Sequence, residues 1–164
     1  MRSFALWLTA LLIAGLALTG CGKQSAPPPQ TTTENVTLFY GGEENGKMVT
    51  EQRQISLRPE DDKYTVVLTE LIKGPDDPEY IANIDPATIV YGTIKQDKAL
   101  IVDVSREFNR FGGSIAEVIG VSSVVNTLTQ FKEIEKVKIL VEGKELLGPS
   151  GMPRGFMGPF PTEP

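Results

Sequence analysis

Three groups of side chains have the types and spacing for chemistry. Asp103 and Glu107 flank Ser105 where an apolar run ends, a common position for acid–base carboxylates. Glu60-Asp61-Asp62 and Asp76-Asp77-Glu79 gather oxygens of the kind Ca²⁺ collects, roughly 6–8 at a time. Each group also has a plain structural reading. Asp103 can accept backbone or Ser105 hydrogen bonds, with Glu107 in solvent. Neither acidic cluster has the EF-hand spacing; the first suits the start of a helix, the second a solvated loop. A glycosidase needs two acids at a set separation, and among 21 Asp and Glu no pair stands out. The chain has no His, which removes Ser-His-Asp and Cys-His nucleophile pairs, His-ligated metals and a histidine pH switch. No Gly-rich run follows a strand in P-loop or dinucleotide form. The expectation is a protein that is not an enzyme and carries no cofactor and no metal.

Cys21 is the single cysteine, so no internal disulfide forms. It follows a short positive start at Arg2 and an apolar run over residues 4–18. That run is shorter than the ~20 residues a stable membrane-spanning helix needs, and has the length of a signal-peptide core. Leu18-Thr19-Gly20-Cys21 resembles the lipobox of bacterial lipoproteins. The resemblance implies that residues 1–20 are removed and that the Cys21 thiol carries a lipid. Two or more acyl chains hold a protein lastingly on a membrane without crossing it. The expected location is therefore the extracytoplasmic face, anchored through Cys21. Gly22 gives no retention signal of the Asp type, so the choice of membrane stays open. Residues 21–34 follow as a Pro- and Thr-rich tether that cannot build a core, with a reach of roughly 40 Å.

The net charge of −5 repels phosphate backbones, so nucleic acid is not an expected partner. Residues 43–79 carry twice as many acids as bases, which favours a basic partner. Tyr80, in an irregular loop, is the best candidate for stacking on a sugar, with Tyr40 and Tyr91 behind it. Phe108 and Phe111 bracket Asn109-Arg110. They either cover the end of the core or leave one ring exposed beside Arg110 as a partner surface.

The elements that must position these residues occupy residues 35–148. Residues 36–40 and 49–57 read as two strands of a hairpin with a longish loop. Residues 60–73 read as a helix entered at Pro59, with acids in its first turn and Gly74-Pro75 as its stop. Residues 88–94 and 99–104 read as a second hairpin across residues 95–98. Ser114-Ile115-Ala116-Glu117 fits a capping box, opening a helix with an apolar stripe of Val118, Val121, Val125 and Leu128. Residues 137–142 are the last clear strand, with a further edge at Glu145-Leu146-Leu147. The order ββαββαβ predicts one small α+β domain, a mixed sheet with two packed helices. Half of residues 149–164 are Gly or Pro, predicting a disordered tail. Its apolar Met152, Phe156, Met157 and Phe160 either pack back in part or dock a partner.

The ordered series of segments resembles the GerMN domain of bacterial sporulation and spore-germination proteins. The matching pieces are Val36-Thr37-Leu38-Phe39-Tyr40, Leu71-Ile72-Lys73-Gly74-Pro75, Asp85-Pro86-Ala87-Thr88 and the strand ending Val102-Asp103-Val104-Ser105. Val125-Asn126-Thr127-Leu128-Thr129-Gln130-Phe131 and Val137-Lys138-Ile139-Leu140-Val141 complete it. Asp85 separates Ile84 from Pro86 where the usual pattern has Ile-Pro. The resemblance implies a fold similar to ring-building motifs, in envelope proteins without a known active site. Two functions follow as expectations. One is a membrane-tethered module that binds an envelope protein or a second copy of itself. The other is a lipoprotein that binds cell-wall glycan or a small ligand.

Overall fold

The computed structural model describes residues 30–43 and 47–162. Residues 1–20, Cys21 and the first part of the tether lie outside the described residues. Strands β1 (Thr32–Gly41) and β2 (Met48–Leu57) form an antiparallel ribbon. Helix α1 (Lys63–Ile72) follows. Strands β3 (Val90–Gln96), β4 (Ala99–Val104), β5 (Lys136–Val141) and β6 (Lys144–Glu145) make a four-stranded sheet in that order. β4 and β5 are parallel, joined through a 3₁₀ turn at Arg106–Asn109 and helix α2 (Ser114–Thr129). The domain is α+β with two helices, as expected. Its strands divide between two sheets, where the sequence predicts one. Both helices touch both sheets, so they form the middle layer.

Alternation explains the ribbon. Val36, Leu38 and Tyr40 of β1 are buried, as are Ile55 and Leu57 of β2, and the intervening polar residues face out. β1 begins at Thr32, earlier than expected, because Thr32, Thr33 and Glu34 pair with Leu57, Ser56 and Ile55. Its free edge is closed by α2. Thr37 N donates to Gln130 Oε1 at 2.8 Å, Gln130 Nε2 donates to Thr37 O at 2.9 Å, and Phe39 N donates to Thr127 Oγ1 at 3.2 Å. A buried strand edge left without partners would be costly; here a helix supplies them.

Both helices start differently from expectation. α1 begins after Asp62, which caps it by accepting from Thr65 N at 3.0 Å. No acid lies in its first turn. Asp61 instead binds back to Arg58, accepting its backbone N at 2.9 Å and its Nη2 at 2.8 Å. Pro59 therefore sits in a turn before the helix. α2 has Gly113 as its N-cap, with φ +128, so Ser114 is already helical and caps nothing. Glu117, its expected capping-box partner, forms an ion pair with Arg154. From Ile119 to Leu128 every residue of α2 is buried, while Val118 is exposed.

The tail is ordered across residues 149–162, contrary to expectation. Val137 and Met157 exchange both backbone hydrogen bonds at 2.8 Å. Asn126 receives Phe160 N at 2.7 Å and donates to Phe160 O at 3.0 Å. Met48 N donates to Thr162 O at 3.2 Å. Gly and Pro prevent regular structure in the tail. They leave an extended segment whose backbone can satisfy an edge of β5, while Met157 is buried in the core.

Gly120 is the tightest point in the middle layer. A Cβ there would lie 2.8 Å from Asn83 O and 2.8 Å from Phe111 Cε1. In an open helix Gly→Ala stabilises by about 1 kcal/mol. Gly120→Ala is expected to do the opposite, by about 1–3 kcal/mol of overpacking. Thermal melts of the two proteins check the sign.

Candidate functional site

The Asp103–Ser105–Glu107 group is assembled by the end of β4 and the 3₁₀ turn that follows. Asp103 Oδ1 accepts Gly143 N at 2.9 Å. Ser105 Oγ accepts Ile89 N at 3.0 Å. Glu107 is not in solvent as expected: its side chain is 17% exposed. It pairs with Arg106 Nε and Arg110 Nη2, each at 3.2 Å. The Ser105 hydroxyl, more than any other neighbour, holds the Glu107 carboxyl down at about 2. A general acid at neutral pH needs the opposite shift. The arrangement staples backbone to side chain and keeps Glu107 ionised at neutral pH.

Members of both acidic clusters also have partners within the domain. Asp62 caps α1 and accepts Thr93 Oγ1 at 2.8 Å. Asp76 and Glu51 close on Arg53, which also contacts Glu70 at 3.9 Å and donates to Gly74 O at 3.1 Å. Among the described residues no three Cys, Asp or Glu gather as metal ligands do.

The rings sort differently from expectation. Tyr40 is buried, its hydroxyl donating to Gly74 O at 3.0 Å, and burial pushes its pKa up to about 12. Tyr80 is half-buried, packed against the core. Tyr91 is the exposed ring, 54% accessible, with its hydroxyl donating to Glu142 at 3.0 Å. Phe108 is 1% exposed and cannot belong to a partner surface; it packs edge-on against Phe111, centroids 5.3 Å apart. Phe111 lines a groove of about 420 Å³ with Glu117, Leu146 and Leu147. Arg110 is tied to Asp85 at 3.3 Å as well as to Glu107.

One feature was missed in reading the residues. The sheet face turned away from the helices carries Tyr91, Ile94, Ile101 and Leu140 around a depression of about 330 Å³. Leu100-Ile101-Val102 contained the signal. Leu100 and Val102 are buried on the helix side, so Ile101 must be an apolar residue on the other face.

Comparison with known proteins completes the description. Residues 37–147 match the family described as Germane, sporulation and spore germination. The spore germination protein GerM of Bacillus subtilis (strain 168) is 32% identical over 129 residues, covering 76% of this chain and 34% of that protein. The chain thus spans about a third of this curated relative. The tandem GerMN domains of the sporulation protein GerM from Bacillus subtilis share the fold at a TM-score of 0.63 and 19% identity, over 80% of this chain and 47% of that one. The first GerMN domain of the same protein gives a TM-score of 0.54 at 25% identity, over 80% and 96%.

Acid sensitivity follows from two carboxylates. Glu107 and Glu133 both sit at about 2, below the ordinary 4.5, Glu133 chiefly through its hydrogen bond with Lys63. Groups lowered on folding stabilise fully above their unfolded value and lose that contribution as pH falls towards the folded one. Stability is therefore expected to decline as pH falls from about 4.5 to about 2, and less steeply in Glu107→Gln. Ser105→Ala should move the Glu107 carboxyl up towards 4.5 in an NMR titration.

Proposed function

Because the chain belongs to the sporulation and spore germination family, we propose that it is a lipoprotein whose domain works by binding protein in the cell envelope. The lipid would sit on Cys21, and the domain would be held on the extracytoplasmic side of a membrane. The observation that carries the reading is a contrast within the domain. The carboxylates with catalytic spacing are bound, Asp103 to the Gly143 amide and Glu107 to Arg106 and Arg110. The uncommitted chemistry is instead an open apolar sheet face, the kind of surface that marks an association site. Tyr40 is buried and Tyr80 half-buried, which weakens the reading of a glycan-stacking protein.

Two measurements test this. Cross-linking of the intact protein in its own cells, with mass spectrometry of what co-purifies in detergent, is expected to recover a defined envelope protein or a second copy. Cross-links should map to residues 35–148. Recovery with wall fragments alone, released by a wall-digesting enzyme, would transfer the assignment to glycan binding. Cys21→Ser is expected to abolish labelling by a fatty-acid analogue and to shift the protein out of the lipid-anchored membrane fraction. Unchanged labelling would remove the anchor from the proposal.

A further inference from the structure

The outer face of the four-stranded sheet is ordered by charge as well as by hydropathy. Its rows follow from the register. Ile94 pairs with Ile101, and Ile101 with Lys138; Ala99 pairs with Lys136; Asp103 pairs with Leu140, and Leu140 with Glu145. The cations Lys136 and Lys138 therefore lie toward the start of β5. The carboxylates Asp103 and Glu145 flank Leu140 further along, Glu142 lies just past the strand, and Lys138 pairs with Glu145 of its own chain at 3.4 Å. Ile94, Ile101, Leu140 and Tyr91 occupy the middle, with Ile94 60% exposed.

We propose that this face is the interface of a homodimer, in which a second copy of the chain docks sheet on sheet about a two-fold axis running across the strands. The proposal rests on the reading of the domain as a protein-binding module and names its partner. A two-fold axis brings the same patch of both copies together in opposite directions. The start of one β5 then meets the end of the other. Lys136 of each copy faces Asp103 and Glu142 of its mate, on both sides of an apolar centre, while Lys138 and Glu145 pair within each copy at 3.4 Å. A face of one sign would repel its own copy; this one is complementary to itself.

The geometry favours face over edge. Two packed sheets stand ~10 Å apart with apolar residues between them, and the middle of this face is apolar. Addition of a strand beside β3 would need a regular edge, whereas β3 carries a register irregularity between Val90 and Gly92, a device that disrupts edge pairing.

The charged groups are also held in place beforehand. Asp103 is fixed by Gly143 N, Glu142 by Arg106 N at 2.9 Å and by Tyr91 Oη, and Glu145 by Gly155 N at 2.8 Å. Lys136 and Lys138 lie over the half-exposed Phe156 ring, 5.1 and 4.5 Å from its centroid. Side chains already ordered lose less freedom on association.

The test uses the full chain in detergent. Heavy-isotope and normal protein are mixed in equal amounts and treated with a zero-length amine–carboxylate cross-linker. Mixed heavy–light links from Lys136 to Asp103 or Glu142 are expected. Sedimentation over a concentration series should show a monomer–dimer equilibrium that weakens about tenfold or more in Ile94→Asp and in Lys136→Glu, the loss expected when a central apolar or charged contact is reversed. Unchanged thermal melts keep the comparison free of misfolding. Salt at roughly 1 M should weaken the native dimer more than the lysine variant.

A chain that stays monomeric throughout, or a dimer indifferent to both variants, overturns the proposal. Loss of self-association with an envelope partner still captured removes the dimer alone. Absence of any protein partner removes the underlying reading too.

Discussion

Helix α2 is buried from Ile119 through Leu128, and the other elements answer to that burial. A helix on a protein surface needs one apolar stripe; this one lies between the ribbon and the four-stranded sheet. Its polar positions are therefore restricted to groups with local partners. Thr127 and Gln130 are spent on the free edge of β1. Asn126 is spent on the tail. Gly120 is kept small because the carbonyl of Asn83 and the ring of Phe111 press against it. The helix acts as core and as the missing neighbour of a strand at the same time.

Carboxylates do a second share of the organising. Glu142 accepts Arg106 N, Asp103 accepts Gly143 N, and Asp85 accepts Ala87 N. Each fixes a turn that the sheet cannot fix through its own ladder. Arg53 does the converse: it gathers Glu51, Glu70 and Asp76, and so ties the ribbon to α1 and to the loop after it. Part of the acidic character of residues 43–79, at Glu51, Asp61 and Glu70, is thus taken up within the domain.

The elements legible in the residues were those set by a single periodicity. β4 and β5 bury every second residue against the helices, and α2 lies where its apolar residues recur, although Val118 of that stripe is exposed. The helix starts were not legible, because several side chains compete for the same role. Asp61 and Asp62 are equivalent in sequence, yet Arg58 takes Asp61 and leaves Asp62 as the cap. Ser114 and Glu117 have capping-box spacing, yet Arg154, far along the chain, claims Glu117. The tail misled for a related reason: its order depends on Val137 and Asn126, which local composition does not report. At the candidate site, the Asp103–Glu107 spacing was visible but its use was not. Whether a carboxylate is free or bound to an amide depends on which loop returns to it.

The ribbon separates two ends of the molecule. Thr32, where β1 begins, lies beside Leu57, whereas Gly41, where it finishes, lies beside Met48, whose amide meets Thr162. Ten residues of strand span roughly 33 Å at ~3.3 Å each. Thr32 and Thr162 thus lie toward opposite ends of the ribbon. Whatever holds the chain at its leading side sets the height at which its trailing side is presented, and β1 is the ruler.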